Sequence, residues 1–150
     1  VNVLILIHSP FVMWNIPPGH VARLMAEFPE HRFFHARDER EGGALIGDAD
    51  AAFSSQIYKD QLARARKLRW IHSPAAGIGG MLYPEMVDSS IVLTNSKGMA
   101  AETIGEHAIA VTLAMFRRLH VAVRRQTERR WAQDEIGGGS PNRAVSGTNV

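Results

Sequence analysis

Short apolar runs alternate with helically spaced stretches along residues 1–99. Val1 to Ile7 is almost continuously apolar, the pattern of a strand buried on both faces. Pro17-Pro18-Gly19 interrupts it, and His20 to Phe28 then shows helical spacing through Val21, Leu24, Met25 and Phe28. His31 to His35 is a second strand, followed by a polar, turn-like Asp38 to Gly43. Ala49 to Phe53 is a third strand, ending in Ser54-Ser55. Tyr58 to Lys67 predicts a helix with Leu62 and Ala65 inward and Lys59, Arg64 and Arg66 outward. Leu68 to His72 and Ile91 to Thr94 complete five strands. Strands that alternate with helices predict an α/β fold with a parallel sheet covered on both faces. Five of them fit a flavodoxin-like doubly wound sheet.

The pattern changes after residue 99. One helical periodicity runs from Ala101 to about Trp131, roughly 45 Å at the usual rise per residue. Ile104, Ala108, Val111, Met115, Leu119 and Ala122 form one apolar stripe, and Ile109, Leu113 and Phe116 a second. A helix apolar on two sides is packed on two sides, and one five-stranded lobe covers only part of it. Ile136 to Asn142 is loop-like, and Val145 to Val150 resembles the approach to another strand. The expected organisation is a sheet domain over 1–99, a long crossing helix over 100–132 and a linker over 133–150.

Composition narrows the function classes. The chain has 150 residues, with 45% apolar and 21% charged, which is ordinary for a globular protein. A formal net charge of +2 gives no reason to expect a nucleic-acid partner. The absence of cysteine excludes disulfides, a thiol nucleophile and cysteine-ligated zinc. No apolar run approaches the roughly 18 residues of a membrane span, and Val3 to Ile7 is too short for a signal-peptide core. A cytoplasmic location and no membrane partner are the expectations.

Ligands of open α/β sheets sit beyond the carboxyl ends of the strands. Those ends carry Ser9-Pro10-Phe11, Ser54-Ser55-Gln56, Ser73 to Gly80, and Asn95-Ser96. The run SPAAGIGG at 73–80 invites comparison with a dinucleotide loop, which needs G-x-G-x-x-G and an acidic residue about 20 positions on. Gly77 and Gly79 supply two glycines, but Leu82 stands at the third, and the next strand ends in Asn95. The dinucleotide reading fails here. A cradle of backbone N–H groups for a smaller anion and a plain tight turn both remain open. Gly137 to Gly139 has no strand before it and is expected to be a connector.

The runs LRWIHSPAAGIGG, then IVLTNSKGMAAETIGEHAIAVTLAMFRRL, then RRW, resemble the D-isomer-specific 2-hydroxyacid dehydrogenases. In that family a strand leads into an A-G-V-type loop. A T-N strand end follows, then a helix opening with V-A-E-H, an arginine-rich helix end and a tryptophan. Here Ile104-Gly105-Glu106-His107 stands at the V-A-E-H position, with glycine in place of alanine. The match is firmest from Leu68 to Trp131.

The resemblance implies a flavodoxin-like substrate domain followed by a long helix that belongs to a Rossmann domain, missing or truncated in these residues. The implied reaction is hydride transfer between NAD or NADP, bound mainly outside this chain, and a small 2-keto or 2-hydroxy acid. The loop Ala75, Ala76, Gly77, Ile78 would donate N–H groups to the substrate carboxylate. Ser55 and Gln56 would border the same cleft, and Thr103 and Ile104 would approach the cofactor. The resemblance also implies a homodimer through helix 101–131. Many relatives have Asp where this chain has Gly79, and formate-specific relatives carry Asn at the position of Ala100. These departures favour glyoxylate or hydroxypyruvate over formate.

No catalytic residue is assigned. The His, Glu and Arg that such enzymes use lie later in the family's order, so these 150 residues alone are expected to be inactive. The seven histidines receive structural or surface roles, and no metal site is expected. His31 and His35 on a strand lie about 13 Å apart, too far to share a metal. Two other readings stay open. One is a non-catalytic ligand-binding or regulatory module, separable by whether the gene continues into a G-x-G-x-x-G strand–helix unit. The other is nucleic-acid binding through Arg117, Arg118, Arg124, Arg125, Arg129 and Arg130, but no aromatic stacking platform accompanies them.

Overall fold

A computed structural model describes residues 1–137 of the chain. They divide between two compact units, Val1–Met99 and the segment from Ala100 onward. The first is a five-stranded, wholly parallel sheet with β1 at Asn2–Leu6, β2 at Arg32–His35, β3 at Ala51–Ser54, β4 at Trp70–Ser73 and β5 at Val92–Asn95. The strand order is β2-β1-β3-β4-β5, the flavodoxin-like order, which reverses direction between β1 and β3. All five strands lie within two residues of the positions expected from the apolar runs. The connecting helices are α1 at Pro18–Glu27, α2 at Glu39–Leu45, α3 at Lys59–Leu62 and α4 at Pro84–Val87.

The register explains the core. Leu4, Ala52, Ile71 and Leu93 stand abreast on one face of the sheet. Leu4, Leu6, Ala52 and Ile71 form the main cluster with Ile46, Ile57, Leu68, Met81 and Met86. Each large side chain fully buried there contributes about 1.5–3 kcal/mol. The opposite row is Ile5, Phe53, His72 and Thr94, and on this face Trp70 and Val92 remain exposed.

Three expectations for elements are corrected. The polar stretch from Asp38 is helix α2, not a turn. Asp38 caps it by accepting from the Glu41 N–H at 2.7 Å. Its two glycines serve close packing, since a Cβ on Gly42 would lie 2.6 Å from Leu6 Cδ2. The helix expected over Tyr58 to Lys67 is only α3. After Leu62 the backbone tightens to i→i+3 bonds from Arg64 to Gln61 and from Ala65 to Leu62. Leu62 and Ala65 do pack on the core as expected.

The third correction lies in the second unit. The helix expected from Ala101 to Trp131 is divided into α5 at Ala101–Phe116 and α6 at Leu119–Thr127. Arg118 takes a left-handed conformation, φ 52°, which costs a non-glycine residue about 1–2 kcal/mol. A hydrogen bond from its guanidinium to the Glu135 carbonyl, 2.7 Å, offsets that cost. Arg125 and Arg130 also pair with the Glu135 carboxylate. The start of the expected loop at 136 belongs to a short helix, α7, at Gln133–Gly137. The rest of that loop and the strand approach at 145–150 lie outside the described residues.

The α2 cap makes a pH-dependent prediction. The Glu41 N–H holds the Asp38 carboxyl below its ordinary value of 3.8. A lowered folded value contributes stability above the ordinary one, and that contribution is lost as pH falls through the lowered one. Asp38→Ala should therefore lower the thermal midpoint at neutral pH, while Asp38→Asn keeps the cap. On acidification the wild type should lose part of its advantage over Asp38→Ala, and Asp38→Asn should not. Equal midpoints for wild type and Asp38→Ala at pH 7 would show that the cap contributes nothing.

Candidate functional site

Strand β4 delivers the glycine-containing loop to the carboxyl edge of the sheet. Ser73 is fully buried, and its Oγ accepts the Ala75 N–H at 3.2 Å. The end of β5 then ties down the loop's carbonyls. The Ser96 N–H and Oγ donate to the Ser73 carbonyl at 3.1 and 3.2 Å, and Asn95 Nδ2 donates to the Ala76 carbonyl at 2.6 Å. The N–H groups of Ala76, Gly77 and Ile78 find no acceptor among the described residues. Ala76 and Gly77 are exposed and Ile78 half-buried. Three successive free donors on a loop whose carbonyls are held elsewhere can accept an anion. Gly77 is not in the left-handed region, and a Cβ there would meet nothing within 4 Å.

His72 braces this arrangement. Its Nδ1 lies 2.9 Å from Thr94 Oγ1 and its Nε2 3.3 Å from Ser96 Oγ. Both ring nitrogens thus face a hydroxyl that is itself anchored on backbone, since Ser96 Oγ donates to the Ser73 carbonyl and Thr94 Oγ1 to the Ile71 carbonyl. The ring stacks on Phe53 at a centroid distance of 5.6 Å. The structural role expected for His72 is thus a specific one.

Beside the loop lies a cleft of about 820 Å³, within the first unit. Of the residues expected at the substrate, Ser55 and Ala75 line it. Ala76, Gly77 and Ile78 continue from Ala75 along the loop. Gln56 is directed elsewhere, since its Nε2 donates to the Gly80 and Ile57 carbonyls at 3.0 and 3.2 Å. It ties the segment after β3 to the loop after β4 and does not line the cleft. The Tyr83 hydroxyl, which burial raises above its ordinary value, donates to the same Ile57 carbonyl at 3.1 Å.

The other wall of the cleft was not singled out from the sequence. It is made by Met13 and Trp14, in a 3-10 turn at Val12–Trp14, together with Ile16, Leu24 of α1 and Phe53 of β3. Asn15 closes this segment back on the residues that follow β1. Its Oδ1 accepts the Ser9 N–H at 2.7 Å and its Nδ2 donates to the Ser9 carbonyl at 3.0 Å. A signal was present in the run Phe11-Val12-Met13-Trp14, four large apolar residues between the first strand and the Pro17-Pro18-Gly19 interruption, outside any predicted element.

In the second unit, Thr103 and Ile104 occupy the first turn of α5. Thr103 Oγ1 donates to the Ala100 carbonyl at 3.1 Å, and Ile104 is exposed. Among the described residues, no three metal-ligating side chains come together. No described helix is long and apolar enough to cross a membrane.

No family model matches the sequence, and no curated protein is similar to it at a significant level. Solved structures are similar. A D-isomer specific 2-hydroxyacid dehydrogenase family protein from Aeromonas salmonicida is 26% identical with a TM-score of 0.71, over 87% of this chain and 40% of its own. D-lactate dehydrogenase from Aquifex aeolicus, solved with NAD and lactic acid, gives 18% and 0.72 over 90% of this chain and 40% of its own. NAD-dependent formate dehydrogenase from Staphylococcus aureus gives 17% and 0.63 over 91% and 45%. The last two speak for the fold alone. The chain spans less than half the length of each of these proteins. Motifs and fold converge on one family, and over most of its length this chain resembles the D-isomer-specific 2-hydroxyacid dehydrogenases.

Proposed function

We propose that this chain is the substrate-binding part of an NAD(P)-dependent oxidoreductase acting on a 2-keto or 2-hydroxy acid. The observation that carries the reading is the row of free N–H groups at Ala76, Gly77 and Ile78, beside a cleft at the carboxyl edge of the sheet. Hydrogen bonds to a charged acceptor contribute about 1.5–3 kcal/mol each, so three donors suit a carboxylate. A reduced nicotinamide, when bound, would supply the hydride for C2 of the keto acid, and the carbonyl oxygen would take a proton to give the 2-hydroxy acid. The task of these residues is to fix the carboxylate and thereby orient C2.

The glycine loop is not a pyrophosphate cradle. Leu82 replaces the third glycine, and Gly79–Met81 is a 3-10 turn rather than the start of a helix. Thr103 and Ile104 are assigned to the flank of a nicotinamide cofactor held mainly by other residues. The protein is further assigned to the cytoplasm and to a homodimer.

Titration of glycolate into the ¹⁵N-labelled chain should shift the amide signals of Ala76, Gly77 and Ile78 ahead of all others. Silence at these three signals would overturn the cradle. The purified chain should also give no NADH oxidation with glyoxylate or hydroxypyruvate, because its sequence carries no dinucleotide fingerprint. Turnover by the chain alone would refute this division of labour.

A further inference from the structure

We infer that the site takes 2-keto and 2-hydroxy acids with a bulky apolar side chain, aromatic or branched, seated between Trp14 and Phe53. This rests on the reading of Ala76 to Ile78 as the carboxylate cradle. The cleft measures about 820 Å³, within the range that encloses molecules much larger than glyoxylate. Met13, Trp14, Ile16, Leu24 and Phe53 make most of its wall apolar. It is continuous with the cradle, because Ala75 lines it and directly precedes the first free N–H. An acid held by its carboxylate on the loop can therefore project its side chain along this wall.

The fold does not account for this wall. The turn Val12–Trp14 buries none of its residues, and Met13 is 83% and Trp14 65% exposed. Yet the segment is built to stay in place, through the reciprocal hydrogen bonds of Asn15 with Ser9. A fixed apolar surface beside an anion cradle suits a ligand that is charged at one end and apolar at the other. The lining gives a second carboxylate no unpaired guanidinium or ammonium. Among the described residues it holds the guanidinium of Arg23, paired with Glu27 at 2.7 Å, the imidazoles of His8 and His20, and no lysine.

The test compares 3-phenyllactate, glycolate and 2-hydroxyglutarate with the ¹⁵N-labelled chain. The amides of Ala76 to Ile78 report the carboxylate, and the indole N–H of Trp14 reports the cleft. Phenyllactate and glycolate should both shift the loop amides. Phenyllactate alone should also shift the indole, and should bind at least about tenfold more tightly. Trp14→Ala should remove that advantage, bringing phenyllactate to about the affinity of glycolate. Met13→Glu, at a more exposed position, should weaken phenyllactate selectively as well. Equal affinities with a silent indole would overturn this inference and leave the cradle standing. An indole shift with silent loop amides would overturn the cradle and this inference with it. Tighter binding of 2-hydroxyglutarate would overturn the apolar assignment.

Discussion

Replacing Gly77 with valine should weaken the binding of a 2-hydroxy acid by about tenfold or more while leaving the lobe folded. The two halves of this expectation rest on different observations. The fold is spared because nothing lies within 4 Å of a Cβ at Gly77 and its backbone is not left-handed. Binding suffers because the isopropyl group occupies the approach to three adjacent N–H donors. Losing even one charge-assisted hydrogen bond of about 1.5–3 kcal/mol corresponds to a factor of about 10 to 150. Gly77→Ala should fall between the two. In an active enzyme containing this lobe, the change should appear in the Michaelis constant more than in thermal stability. Unchanged binding by a valine variant with an unaltered melting curve would show that the carboxylate does not sit on this loop.

The second large effect concerns assembly. Helix α5 buries none of its residues. Ile104, Ile109 and Met115 are each at least 60% exposed, and Val111 and Leu113 more than 40%. These residues belong to two apolar stripes, so turning the helix cannot hide both. Full burial of each large side chain would contribute about 1.5–3 kcal/mol, and several together approach the 8 kcal/mol of a micromolar complex. A second copy of the chain offers the same patch, and a two-fold arrangement satisfies both. We expect a homodimer or larger assembly at micromolar concentration in sedimentation equilibrium. Met115→Glu and Phe116→Glu should shift it toward monomer. A monomeric wild type whose mass and solubility are indifferent to both changes would show that the stripes need no partner.

The five strands were legible because a strand buried in a parallel sheet must be a short apolar run, and each run is complete within a few residues. The family motifs were legible for the same local reason. Helix α2 was not. Asp38 and the Gly42-Gly43 pair have the composition of a turn, and only the closeness of Leu6 reveals the glycines as a packing device. The break at Arg118 was hidden too. Apolar periodicity continues across it, while its compensating bond comes from Glu135, 17 residues away.

The candidate site divides along the same line. Small residues at 75–78 after a strand are visible in the sequence, and so is the exclusion of a dinucleotide loop by Leu82. Which N–H groups are free is not visible, because that depends on Ser73, Asn95 and Ser96 taking up the loop's other polar atoms across the sheet. The same holds for Gln56, which sequence position places at the substrate and a hydrogen bond to Gly80 draws away. The cleft wall of Met13 and Trp14 exists only because Asn15 folds its segment back onto Ser9, beside Phe53 from a different strand. The chain's local pattern determined which segments would be strands and that they would form a parallel sheet. Only the tertiary structure decided which polar groups and apolar surfaces would be left unpartnered for a ligand, because that depends on neighbours distant in sequence.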